Sequence, residues 1–163
     1  MNNISFDVLQ QTVKAIKENP ELGMKKWAAH IHWKDGVQNQ VIIRDFEPLM
    51  MDEPEALGGS DKGPNPIESL IGAAGSCFAI TFEVFASQNG IKLEKVEVDI
   101  EADLNAAVFL GLEEGDGGIL NPIIKLKAIT SASEEEVKKI ANLALSKSPV
   151  LVSLKANLEL VIQ

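Results

Sequence analysis

The sequence predicts an α+β fold in which antiparallel sheets wrap around a long buried central helix. Three observations predict it. The stretch from Leu70 to Phe85 is apolar on nearly every face, the pattern of a helix enclosed on all sides. Residues 92–104 alternate between apolar and charged side chains, without a break from Lys95 onward, the period of a half-buried strand. The segments follow one another as helix, two strands, long helix, two strands, helix, strand, with no internal repeat. That order places helices against antiparallel strands rather than in parallel crossovers.

Residues 5–18 read as the first helix. Leu9, Thr12, Val13 and Ile16 recur at helical spacing, and Asn19-Pro20 stops the pattern. Residues 24–33 and 37–47 read as two strands joined at Lys34-Asp35-Gly36, a hairpin signal. From Glu47 to Pro66 four prolines and three glycines fall in a stretch centred on DEPEALGGSDKGPNP, a long loop of the kind that often carries function. Asn65 then offers an N-cap, Pro66 suits the first helical position and Glu68 completes a capping box. The long helix opened there runs to about Asn89, with Gly90 as terminator. In the strand at 92–104, Val96, Val98, Ile100, Ala102 and Leu104 face inward. Glu97, Asp99, Glu101 and Asp103 face outward as a solvated acidic stripe. GLEEGDGG at 111–118 is an acidic loop without calcium-loop spacing. A strand follows at 121–130. Ser133-Glu134-Glu135-Glu136 opens a helix to about Lys147, Ser148-Pro149 ends it, and Leu151 to Ile162 is the last strand.

The 163 residues suit one domain, 1–163. A net charge of −9 repels phosphate backbones and anionic lipid, so neither nucleic acid nor membrane is expected as a partner. The first residues lack the basic and apolar regions of a signal peptide. One cysteine forms no internal disulfide and suits a reducing compartment, so the expected location is the cytoplasm.

That cysteine, Cys77, is the candidate nucleophile. The thiolate is the reactive form and needs a nearby cation, and Cys77 lies three turns into its helix, beyond reach of the helix dipole. Arg44, the only arginine, is the first candidate for that cation, because a guanidinium stays charged when partly buried. The alternative for Cys77 is inert packing. His30 and His32 share one strand face, but no third ligand is near in sequence, so no metal is expected.

The stretch DEPEALGGSDKGPNPIESLIGAAGSC resembles the OsmC/Ohr family, proteins linked to osmotic stress and organic hydroperoxide resistance. The matching pieces are Gly58-Gly59, Gly63-Pro64-Asn65-Pro66, Glu68, and Ala73-Ala74 leading to Cys77. The resemblance implies an intertwined homodimer with active sites at the interface. It also implies a thiol peroxidase needing no cofactor beyond an external thiol reductant. In that chemistry a first cysteine is oxidised to sulfenic acid by the peroxide, and a second closes a disulfide with it. By the resemblance Cys77 is the first cysteine. Ser148 stands where the second is expected, so the cycle must be completed by an external thiol. The family's arginine lies early in the first hairpin, with Arg44 or Lys34 as substitutes here, and its glutamate stands ten residues before the cysteine. Glu68 stands nine before, and nine residues of helix turn about 180° and rise about 13 Å. Glu68 therefore either orients Arg44 or caps its helix. Met50-Met51 could line a pocket for an apolar hydroperoxide. The expected function is single-cysteine reduction of organic hydroperoxides by Cys77, Arg44 and Glu68. The alternative is a non-catalytic homodimer that binds an apolar small molecule, with Cys77 as sensor or packing residue.

Overall fold

The computed structural model describes residues 1–154 and 156–163; Lys155, inside the predicted last strand, lies outside the described residues. The elements in chain order are α1 (Phe6–Glu18), β1 (His30–Asp35), β2 (Gln38–Ile42), β3 (Leu49–Met51), α2 (Pro66–Gln88), β4 (Leu93–Leu104), α3 (Ala106–Phe109), β5 (Ile119–Thr130), α4 (Glu134–Lys147), α5 (Pro149–Ser153) and β6 (Glu159–Ile162). The predicted α+β class holds, with two three-stranded sheets ordered β1-β2-β3 and β4-β5-β6. The chain divides into two compact units, one of Ser5–Ser69 and one of Met1–Ile4 with Leu70–Gln163.

The larger unit holds the hydrophobic core. Ala74, Phe78, Phe82 and Ala86 of α2 are buried with Ile124 and Leu126 of β5, Val137, Ile140, Ala141 and Ala144 of α4, and Leu151 of α5. α2 lies close on β4 because position 75 is glycine: a Cβ there would stand 3.0 Å from the Ile100 side chain. The acidic stripe of β4 meets lysines across the antiparallel ladder, Lys125 Nζ on Glu101 at 2.8 Å and Lys127 Nζ on Glu97 at 3.9 Å. It is a solvated face, as its alternation implied. Hydrogen bonds from Lys95 and its charge, with that of Lys127, hold the Glu97 carboxyl below its usual pKa against a smaller opposing effect of burial. α4 opens on the predicted capping box: Ser133 Oγ accepts from Glu136 N, and the Glu136 carboxylate accepts from Ser133 N at 2.8 Å.

Three expectations change at this level. Residues 149–153 are helical and only Glu159–Ile162 is strand. Val150, Leu151 and Leu154 fit a helical stripe as well as an alternating one, and Pro149 takes the N1 position that proline favours. β6 then pairs parallel to β5, so one ladder is not antiparallel. α2 is not enclosed on all sides within one chain. Its Phe78 face is buried, while Leu70 is 37% and Ile80 57% exposed. By length and composition alone this 23-residue helix, with a mean hydropathy of 1.6, is long and apolar enough to cross a membrane; its buried phenylalanines instead belong to the core.

The Ser5–Ser69 unit is built differently. β1 and β2 form the predicted hairpin, turning at Gly36 with φ 52°, and the β1–β2 pairing starts at His30 rather than residue 24. The second strand stops at Ile42 rather than 47, because Arg44 has φ 52° and breaks the extended backbone. β3, in the segment expected to be loop, pairs antiparallel with β2. Register puts Ile31, Val41 and Leu49 in one row and Trp33 and Met51 on the same face. That face is uncovered, with Ile31 57%, Trp33 67% and Leu49 53% exposed. No apolar side chain among the described residues of this unit is buried; Asp52 is its one buried residue.

Candidate active site around Cys77

The start of α2 forms as its sequence dictates. Asn65 Oδ1 accepts from Glu68 N, and Glu68 Oε2 accepts from Asn65 N, both at 2.8 Å. This is a reciprocal capping box. Of the two roles open to Glu68, the structure displays the cap.

Eleven residues after Pro66, Cys77 is half-buried, on the same helix as the fully buried Phe78. It is not sealed into the core as an inert packing cysteine would be. Its main-chain carbonyl accepts from Thr81 Oγ1 at 2.7 Å, and Ser148 Oγ lies 3.5 Å from the same oxygen. Ser148, wholly buried at the C-terminal cap of α4, donates its hydroxyl mainly to Ala144 O at 2.7 Å. Two positions 71 residues apart in sequence are thus brought together, and they are the two that the family resemblance paired. Six residues beyond Cys77, Glu83 is half-buried on α2 with no hydrogen-bond or ion-pair partner among the described residues, and burial pushes its carboxyl pKa up.

Arg44 sits in the turn after β2, exposed, its guanidinium carbon 4.6 Å from the centre of the Phe46 ring. That is a cation–π geometry. Among the described residues it forms no ion pair, with Glu68 or any other carboxylate. Lys34 is exposed on β1. The His30 and His32 rings lie 5.6 Å apart on the exposed hairpin. Among the described residues no three His, Cys, Asp or Glu side chains converge as a metal site requires.

One residue that the sequence reading passed over organises the long loop. Asp52 is 1% exposed. Its Oδ2 accepts from the main-chain N–H of Ser60 and Lys62 and from Gln38 Nε2, each at 3.2 Å, and its Oδ1 accepts from Glu53 N at 2.9 Å. Burial alone would raise its pKa. The bonds from Glu53, Lys62, Ser60 and Gln38 outweigh burial and hold it below the usual 3.8. The clip is therefore complete above the ordinary aspartate range and is lost as pH falls through the lower folded value. The loop closes tightly on this centre. A Cβ on Gly59 would stand 1.7 Å from Glu53 O, and one on Gly63 2.4 Å from Met50 O. Far from a slack connection, the loop is a fixed piece ending in the α2 cap. Met51 Sδ adds a tie to the first turn of α2 by accepting from Ser69 Oγ at 3.1 Å. The sequence signal was an aspartate leading a glycine-rich segment, where short acidic side chains accept from nearby amides.

With fold and site in hand, comparison with known proteins places the chain in a class. It belongs to the OsmC-like protein family, whose pattern matches residues 59–163. Cys77, Ser148 and Glu68 all fall in the matched segment; Arg44 and Asp52 precede it. A relative in Bacillus subtilis (strain 168), the uncharacterized protein YmaD, is 29% identical over 110 residues, 66% of this chain and 71% of that one. The OsmC-like protein of Mycoplasma pneumoniae superposes with a TM-score of 0.74 at 16% identity, over 85% of this chain and 96% of that one. The organic hydroperoxide resistance protein OsmC of Legionella pneumophila gives 0.65 at 20% identity, over 86% and 98%. The organic hydroperoxide resistance protein OhrB of Bacillus subtilis gives 0.58 at 15%, over 84% and 98%. At these identities the structural neighbours share the fold.

Proposed function

We propose that the protein is a single-cysteine, thiol-dependent peroxidase that reduces organic hydroperoxides. The observation that carries the reading is the placement of Cys77: half-exposed on the central helix, within the segment that matches the family, with its carbonyl 3.5 Å from Ser148 Oγ. In the proposed reaction the Cys77 thiolate attacks the outer peroxide oxygen and the O–O bond breaks. The sulfur becomes a sulfenic acid, and the alkoxide takes a proton and leaves as alcohol. Ser148 has no thiol, so an external thiol condenses with the sulfenic acid and releases water. A second equivalent frees Cys77 as the external disulfide departs. Arg44 would supply the cation that favours the thiolate. Glu68, whose cap uses Oε2, would offer Oε1 to orient it.

The working form is proposed to be a homodimer. Ile31, Trp33 and Leu49 on one sheet face, with Leu70 and Ile80 of α2, leave more apolar surface in water than a lone chain is expected to tolerate. A second copy supplies a matched cover, since a two-fold interface buries the same patch on both chains. Sizing by light scattering at micromolar concentration should give twice the 17.6 kDa chain mass; a monodisperse monomer would remove this part of the proposal.

The activity is tested by following loss of cumene hydroperoxide with excess small thiol. Wild type should turn over, and Cys77→Ser should fall to the buffer rate. Equal, buffer-level rates for both would sink the peroxidase reading. They would favour the second one, a dimer that binds an apolar small molecule, which the hydroxyl of Ser148 and the capping role of Glu68 support.

A further inference from the structure

His30 and His32 have no part in the proposed reaction. Both are exposed on β1. The side-chain hydrogen bonds of this hairpin are made by Trp33, Gln38 and Asn39, which leaves His30, His32 and Gln40 without one among the described residues. Residues two apart on a strand share a face, and the two imidazole rings lie 5.6 Å apart, tilted by 56°. Two imidazoles that hold one ion through nitrogen bonds of about 2.0–2.1 Å stand about 5 Å apart, ring centre to ring centre. Exposed side chains close so small a difference by ordinary rotation.

Strand pairing supplies a third donor. His32 is directly opposite Gln40 in the β1–β2 ladder, so the two side chains share that face, with Cβ atoms about 4.5–5.5 Å apart. The Gln40 carboxamide oxygen is an acceptor with two lone pairs. Among the described residues no further His, Cys, Asp or Glu completes the set. That excludes a closed four-ligand centre and leaves an open one, with water in the remaining positions. Access is free on this side. β1 is an edge strand, and the apolar row of Ile31, Val41 and Leu49 lies on the opposite face. A second copy seated on that row would leave the imidazoles in water.

We propose that His30, His32 and the Gln40 carboxamide form an open, exchangeable site for a divalent late transition metal ion, with copper(II) held most tightly. Two imidazoles and a carbonyl suit copper, nickel and zinc rather than magnesium or calcium, and copper(II) leads the affinity order for such donors. The site lies within one hairpin and does not rest on the peroxidase reading.

The test is a titration of the untagged protein with copper(II) chloride in a non-coordinating buffer, followed by electron paramagnetic resonance. The tightest site should hold one ion per chain and show nitrogen splitting from imidazole. His30→Ala and His32→Ala should each weaken binding by at least about tenfold, since disturbing even the groups that support a metal ligand costs that much. Gln40→Ala should weaken it less. Both histidines are exposed, so their replacement should leave the circular dichroism spectrum unchanged. Cys77→Ser should bind copper(II) as the wild type does. Unchanged affinity in both histidine variants would overturn the proposal. So would a copper signal lost in Cys77→Ser, which would place the ion on the thiol. Unchanged affinity in Gln40→Ala would overturn the three-donor site.

Discussion

Phe82→Ala is expected to destabilise the protein by about 3–5 kcal/mol, the usual loss for an aromatic ring removed from a packed core. Phe82 is 1% exposed and Phe78 0%. Their rings lie 6.4 Å apart in near-parallel planes on the inner face of α2. Strand and helix side chains close around them, Ile124 and Leu126 from β5 and Ile140, Ala141 and Ala144 from α4, all but wholly buried. The void left by the ring is bounded by two rigid elements that cannot collapse fully into it, so the packing loss adds to the transfer loss. Urea unfolding at one fixed protein concentration measures the change. The midpoint should fall with little change in slope. Val152→Ala, at a side chain 66% exposed on the adjoining α5, should stay within about 0.5 kcal/mol of wild type. A Phe82→Ala loss below about 1 kcal/mol would contradict the core described here. Such a loss matters against a typical total of about 5–15 kcal/mol.

The same core marks where sequence reasoning succeeds and where it stops. β4 was legible because apolar and charged residues alternate along it from Lys95 onward, and its outer-face Glu97 and Glu101 meet lysines of the neighbouring strand. α4 and the start of α2 were legible because capping boxes are local: donor and acceptor lie three residues apart. The final strand was misread because 149–154 satisfies two periods at once. Only packing of Leu151 into the core, with Pro149 at N1, decides for helix. The surroundings of α2 were half-legible. Its composition calls for cover on every side, but one chain covers the Phe78 face alone, and sequence does not say which molecule supplies the rest. At the site, Cys77 and Ser148 were marked by their place in a recognisable pattern. Asp52 was not, because most of its partners are main-chain amides, and those leave no mark in a sequence. Arg44 was found by elimination as the only arginine; its stacking on Phe46 follows from a positive-φ turn that the strand pattern concealed.

Restoring a thiol at position 148 should change the chemistry of the site outright. Ser148 Oγ lies 3.5 Å from the Cys77 carbonyl oxygen, so its side chain already reaches the turn of α2 that bears the thiol. Ser148→Cys changes one atom at a fully buried position, and the incoming sulfur is weakly polar enough to forgo the bond to Ala144 O. After one equivalent of hydroperoxide, Cys77 becomes a sulfenic acid and one alcohol is released. The new thiol then attacks that sulfur, water leaves, and an intramolecular disulfide forms. The variant should go from two titratable thiols to none, with loss of two hydrogen atoms by intact mass. The wild type should instead yield a sulfenic acid captured by dimedone. Under excess peroxide the variant should resist the sulfinic acid that accumulates on an unresolved cysteine. If dimedone labels the variant as fully as the wild type, the two positions do not meet as sulfur to sulfur. The pairing of Cys77 with position 148 would then be one of backbone packing only.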